Sequence, residues 1–197
     1  CKLQMLKEGA IRALCSLLDI NRIEAVRYQA CCALSELAFQ DPHQCDAIVQ
    51  CPRMLERIVA LLHPRAGRTQ VDAARIVNNC AAFSALAAEH IARFPGMVAA
   101  LSILATRKDI GTRLMAVAAL HALSCHGSSR RVLASEGARE ALWRVFEMDG
   151  EDEESQRMTT LAALALVNSC EEDAVRFEDA HDCAGAPAER FEGAVRR

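Results

Sequence analysis

Residues 9–14 read Gly9-Ala10-Ile11-Arg12-Ala13-Leu14, and the same opening returns as Gly137-Ala138-Arg139-Glu140-Ala141-Leu142. Weaker copies begin at Arg53 and Gly96, so successive starts lie 44, 43 and 41 residues apart. A period of about 40–47 residues marks stacked helical units, each burying its apolar face against a neighbour. Such arrays offer a long surface for gripping another protein and rarely an active site.

Between these starts each unit reads as a short helix followed by two longer ones. In the first unit a short helix near Lys2–Lys7 is expected to break at Gly9, before helices over Ala10–Leu18 and Glu24–Ala38. Asp41-Pro42 opens the second unit, because proline cannot continue a helix and restricts the residue before it. Helices follow over Gln44–Gln50, Arg53–Leu62 and Gln70–Leu86. The third unit reads Glu89–Phe94, Met97–Ala105 and Gly111–Cys125; the fourth reads Arg130–Ser135, Ala138–Phe146 and Glu153–Cys170. Unit limits of about 1–41, 42–86, 87–127 and 128–170 follow.

The apolar positions repeat in register. Leu14, Ile58, Leu101 and Leu142 correspond on the second helices, as do Leu17, Leu61, Leu104 and Val145. On the third helices Leu34, Val77, Leu120 and Leu164 align, followed by Leu37, Cys80, Leu123 and Val167. Spacings of three and four residues put each set on one helix stripe, and stacking turns the stripes into one core.

Composition agrees. Only 4% of the 197 residues are aromatic although 52% are hydrophobic, which favours close helix packing over a β-sandwich. The net charge of −3 provides no basic field for nucleic acid. No apolar run reaches the roughly 18 residues of a membrane span. Most of the ten cysteines replace Ala, Leu, Val or Phe of other units, so they read as reduced, buried thiols of a cytoplasmic or nuclear protein. The chain begins at Cys1 and reads as a fragment.

The connectors carry charge. Residues 63–68 form a basic turn and residues 148–154 an acidic one, both read as solvated loops. From Glu171 to Arg197 eight acids face four arginines, and the segment reads as an acidic, mobile tail. Phe177 and Phe191 are its candidate contacts with the last repeat.

Phosphate-binding glycine loops, zinc-protease signatures, nucleophile turns and Cys-x-x-Cys pairs do not occur. His43, Cys45 and Cys51, and again His121, Cys125 and His126, lie near one another in sequence. Neither set supplies the four ligands of a tetrahedral site. No catalytic residue, cofactor or metal is expected. Trp143 reads as packing between repeats.

The stretches EGAIRALCSLL with EAVRYQACCALSELA, and EGAREALWRVF with TTLAALALVNSC, resemble the armadillo repeat family. The resemblance covers about residues 2–170. It implies an all-α, right-handed solenoid of about four three-helix repeats, whose third helices line a concave groove. It implies a non-enzymatic, monomeric interaction scaffold for a partner helix or extended peptide. Related members suggest two alternatives: the substrate-recognition region of a ubiquitin ligase, or a nuclear transport adaptor. In the adaptors an Asn on each third helix clamps peptide backbone and a Trp four residues earlier cradles basic side chains. Aligned by the leucines, Glu36, Asn79, Ala122 and Leu166 fill the Asn position, and Cys32, Arg75, Ala118 and Ala162 the Trp position. Only Asn79 matches. The expected groove is therefore graded. Tyr28, Gln29, Glu36, Asp72, Arg75 and Asn79 make a polar half, and Met115, Ala118, Ala122, Met158, Ala162 and Leu166 an apolar half.

Overall fold

The computed structural model describes residues 2–135, 137–148 and 152–170, with side chains from residue 9 onward except 134, 135 and 170. The tail, with Phe177 and Phe191, lies outside the described residues. Among the described residues the chain is all-α. The helices are α1 (Lys2–Leu17), α2 (Glu24–Ala38), α3 (Pro42–Val49), α4 (Met54–Leu62), α5 (Thr69–Phe83), α6 (Ala85–Arg93), α7 (Met97–Ala105), α8 (Ile110–Ser124), α9 (Gly127–Ser135), α10 (Ala138–Phe146) and α11 (Glu153–Cys170). No helix among them is long and apolar enough to cross a membrane.

Three columns of helices form the array. The third helices stack as α2–α5–α8–α11 and make the most extensive contacts. The second helices stack as α4–α7–α10, and α3–α6–α9 form the remaining column. Residues at i, i+4, i+7, i+8 and i+11 are buried on every third helix, which sets a common frame. They are Arg27, Cys31, Leu34, Ser35 and Ala38 on α2, and Thr69, Ala73, Ile76, Val77 and Cys80 on α5. On α8 they are Thr112, Ala116, Ala119, Leu120 and Leu123, and on α11 Met158, Ala162, Ala165, Leu166 and Ser169. Small side chains dominate the frame and allow close approach of neighbouring helices. The one arginine in it is tied locally: Arg27 Nη1 donates to the carbonyls of Ile20 and Arg22, pinning the α1–α2 loop, while its enclosed Nε has no partner.

The frame corrects the expected register at both ends of the array: it sets Leu34 beside Ile76 and Ala119, one place from the expected Val77 and Leu120, and it shifts the last repeat. Leu166, only 3% exposed, occupies the place of Leu120, whereas Leu164 is half-buried. Helix α11 carries two apolar stripes, one through Met158, Ala162 and Leu166 and one through Leu161, Leu164 and Val167. Either satisfies a helical period, and the first is the one that packs inward.

Two further boundaries differ from the sequence reading. Helix α1 runs unbroken through Gly9. Glycine inside a helix costs about 1 kcal/mol relative to alanine, which weakens a helix without ending it. The equivalent positions do turn the chain: Gly96 and Gly137 have φ of 77° and 76°, and Arg53 takes the same left-handed conformation at 63°. The third helix of the second unit ends at Phe83, not Leu86, so the expected Glu89–Phe94 helix is the later part of α6. Ser84 makes the break. Its hydroxyl accepts from the Ala87 N–H at 3.0 Å as N-cap and donates to Asp46 on α3.

Two other helix starts carry aspartate caps. Asp41 accepts from the Gln44 N–H with Pro42 in the first turn, and Asp109 accepts from the Thr112 N–H at 2.8 Å. The basic turn folds against the first unit: Arg68 N–H donates to Glu24 Oε1 at 2.8 Å. Gly67 suits that turn because its φ of 67° is one that side chains rarely adopt, and a Cβ there would push the Glu24 carboxylate aside.

Candidate functional site

The frame leaves one stripe of each third helix free of the core, and these stripes together form a continuous face. It includes Ala33 and Glu36 on α2, Arg75 and Asn78 on α5, Ala118 and His121 on α8, and Leu164 and Val167 on α11. All of these are exposed or half-buried. At its floor the same register holds Asp72, Met115 and Leu161, and then Asn79, Ala122 and Asn168.

In the first half Tyr28, Gln29 and Glu36 are exposed. Asp72 is buried, and its Oδ1 accepts from Arg75 Nη1 at 3.0 Å and from the Cys32 thiol at 4.0 Å. Burial pushes the Asp72 carboxyl above the usual range, and Arg75 opposes the rise. The neighbouring Cys32 and the negative charge of Asp72 push the Tyr28 hydroxyl up. Asn79 Nδ2 donates to the Ser35 carbonyl at 3.0 Å, tying α5 to α2. Phe39 and Phe83 meet edge to face at 5.6 Å and close the far end of that pair.

In the second half Met115 and Ala118 are half-buried, and Ala122 is buried at the floor. Met158, Ala162 and Leu166, expected on this face, lie in the core, and Leu161 and Leu164 take their place. The slip of the α11 register accounts for the exchange. It also brings in Asn168, which the sequence reading left out. Its Nδ2 donates to Ser124 Oγ at 3.1 Å, an inter-repeat tie of the kind made by Asn79. Two of the four third helices thus carry Asn at the clamp position. Their partners four residues earlier are Arg75 and Leu164, not Trp.

The thiols and imidazoles are held by neighbouring groups. His43 is exposed, whereas Cys45 is buried and donates to the Ala38 carbonyl at 3.1 Å. His126 Nε2 lies 2.7 Å from the Ala81 carbonyl and ties the turn after α8 to α5. Burial pushes His121 down and Cys125 up, which favours neutral imidazole and protonated thiol. Among the described residues no three His, Cys, Asp or Glu side chains gather as metal ligands. Trp143 is half-buried against Phe146, and its Nε1 donates to Glu147.

Comparison with known proteins follows from this geometry. The family model "Armadillo/beta-catenin-like repeat" matches residues 1–39. No curated protein sequence matches the chain. Among solved structures, a designed armadillo repeat protein in complex with the peptide (KR)4 is similar, with a TM-score of 0.76 and 18% identity over 98% of this chain and 84% of that one. A second designed armadillo repeat protein gives 0.75 and 19% over 98% and 82%. An engineered protein gives 0.75 and 24% over 94% and 76%. At these identities the likeness is one of fold.

Proposed function

We propose, from the premise that this chain is an armadillo-type solenoid with a recognisable armadillo repeat at its start, that it is a non-enzymatic scaffold whose third-helix face captures an extended segment of another protein. The observation that carries this reading is the face itself. Four helices in one frame present a polar half and an apolar half side by side, with Asn79 and Asn168 at matching places in the register. An Asn amide both gives and accepts hydrogen bonds, as peptide backbone requires. A structural neighbour of the same fold binds a peptide, (KR)4.

The experiment is a titration of the whole chain with a panel of labelled basic, acidic and apolar octapeptides, followed by fluorescence anisotropy. Ala118→Glu places a charge on the apolar half of the face without entering the core. It should weaken the best-bound peptide at least about tenfold, equivalent to about 1.4 kcal/mol, while helicity is unchanged. Unaltered affinity in that variant would remove the face from the binding reaction. The transport-adaptor reading gains one further Asn from the structure but has Arg75 and Leu164 where it needs Trp, so the general scaffold is preferred.

A further inference from the structure

We infer that Cys125 and His121 form a covalent modification site: a thiol with its own base, on the face between α8 and α11, that takes a low-molecular-weight disulfide of the glutathione kind into a mixed disulfide. The inference goes beyond the scaffold reading and stands whether or not a segment binds the face.

Cys125 is exposed at the C-terminal end of α8. Its Sγ lies 3.9 Å from Nε2 of His121, one helical turn earlier. The amide of Asn168, on the next repeat, donates to the same sulfur at 3.7 Å and to Ser124 Oγ at 3.1 Å. A nucleophile, a base and a fixed N–H donor thus converge from two repeats on one accessible atom. Such contacts are commonly long before a reactant arrives. Burial holds the imidazole neutral and the thiol protonated, and the carbonyls at the end of α8 oppose a free thiolate. The sulfur is therefore not ionised in advance and needs a base at the moment of attack. His121, with its proton on Nδ1, presents a free Nε2 for that purpose. Among the described residues the titratable groups about the sulfur are His121 on its own helix and Arg130 on α9, whose charge favours the thiolate. Arg130 Nε donates to the Ser124 carbonyl at 3.1 Å. His126, in the turn after α8, is engaged with the Ala81 carbonyl of α5, and α11 contributes the neutral Asn168.

The exchange balances between the two reactants. The Cys125 proton passes to His121 Nε2 as Sγ attacks one sulfur of the small disulfide. A new S–S bond forms, the old one breaks, and the leaving thiolate takes the proton back from the imidazolium. Cys125 is oxidised and the departing sulfur is reduced, and a small thiol reverses the step. The other thiols among the described side chains each lack a requirement. Cys15, Cys31, Cys45, Cys51 and Cys80 are buried. Cys32 is half-buried on the same face, but its thiol meets the Asp72 carboxylate at 4.0 Å, and a neighbouring negative charge opposes the thiolate.

The test treats the reduced full chain with oxidised glutathione at pH 7 and follows the adducts by mass spectrometry of tryptic peptides. Residues 114–130 form one such peptide with Cys125 as its sole cysteine, and residues 28–53 form another that carries Cys31, Cys32, Cys45 and Cys51. The first should gain glutathione at least about tenfold faster than the second. His121→Gln, a change on the half-buried face, should slow Cys125 at least about tenfold at pH 7 and leave peptide 28–53 unchanged. The gap between the two chains should close in alkali, where the thiol ionises without a base. Equal rates for the two peptides in the unmodified chain overturn the site without any variant. So does an unchanged rate for Cys125 in His121→Gln, or a slowing that persists in alkali, which would mark His121 as packing alone.

Discussion

The α2–α5 pair and the α8–α11 pair are built on one burial frame and present opposite chemistry. In the first pair the floor of the face carries Asp72 and Asn79 with Arg75 above them; in the second it carries Met115, Ala122 and Leu161 with Leu164 above them, and Asn168 is its polar group. The inward positions barely differ in character: Ala73, Val77, Leu120, Ala162 and Leu166 are all small or aliphatic. Stacking and surface chemistry are thus assigned to different residues of the same helices. The inward stripe fixes the array, and the outward stripe is free to vary from repeat to repeat.

The sharpest way to break this division is to put one charge on each stripe of the second half. Ala162 is fully enclosed, so Ala162→Glu buries an unpaired carboxylate and should cost about 3–5 kcal/mol. Ala118 is half-buried on the face, and Ala118→Glu should stay within about 1 kcal/mol. Urea unfolding of both variants measures the difference. Equal losses would mean that α11 is rotated from the frame described above.

A milder pair tests the same rotation. Leu166→Ala and Leu120→Ala should each cost about 2–5 kcal/mol as large-to-small changes in packed surroundings. Leu164→Ala removes a half-buried side chain and should cost about 1 kcal/mol, since less area is returned to water. Thermal melts that ranked Leu164 above Leu166 would restore the register read from the leucines.

The pattern of what was legible has a physical basis. The period showed because Gly-Ala openings and aliphatic stripes recur at a spacing that stacking demands. Asp72, Arg75, Asn79, Met115, Ala118 and Ala122 fell on one face because the α5 and α8 frames lie 43 residues apart, as their sequences suggest. Helix α11 was misplaced because two apolar stripes share it and only packing chooses between them. Asn168 was lost with that choice. The break at Ser84 was hidden in the run Ala81–Ala88, where one capping hydroxyl is the sole signal. Gly9 misled because glycine permits a corner and does not compel one.

Corners give a smaller contrast between the halves. The second half turns at Gly96 and Gly137, and the first at Arg53, all with positive φ. A side chain in this conformation is strained by about 1–2 kcal/mol, so Gly96→Ala should lose about that amount. Arg53→Gly should gain about 0.5–1 kcal/mol, the relief being partly offset by the freedom glycine adds to the unfolded chain. At Gly9, inside α1 with open space around a built Cβ, alanine should stabilise by about 0.4–1 kcal/mol. Calorimetric melting of the three variants should therefore show one loss and two gains.

Individual carboxylates of the two halves answer pH with opposite signs. Asp72 has its carboxyl raised by burial in the folded chain, above an unfolded value near 3.8. The folded state therefore binds the extra proton between that pH and its raised value, and the stability linked to Asp72 is complete below about 3.8 and lost as pH rises through the window. Asp109 and Asp152 in the second half are lowered instead, chiefly by bonds from the Thr112 and Ser155 side chains at their helix caps. Their contribution is present above 3.8 and lost as pH falls through the lowered values. In melts from pH 3 to pH 7, Asp72→Asn should match the parent chain at the acid end and gain on it as pH rises. Asp109→Ala should trail the parent at neutral pH and draw level with it in acid. A parent chain that kept pace with Asp72→Asn across the range would show that Arg75 fully offsets the burial of that carboxylate.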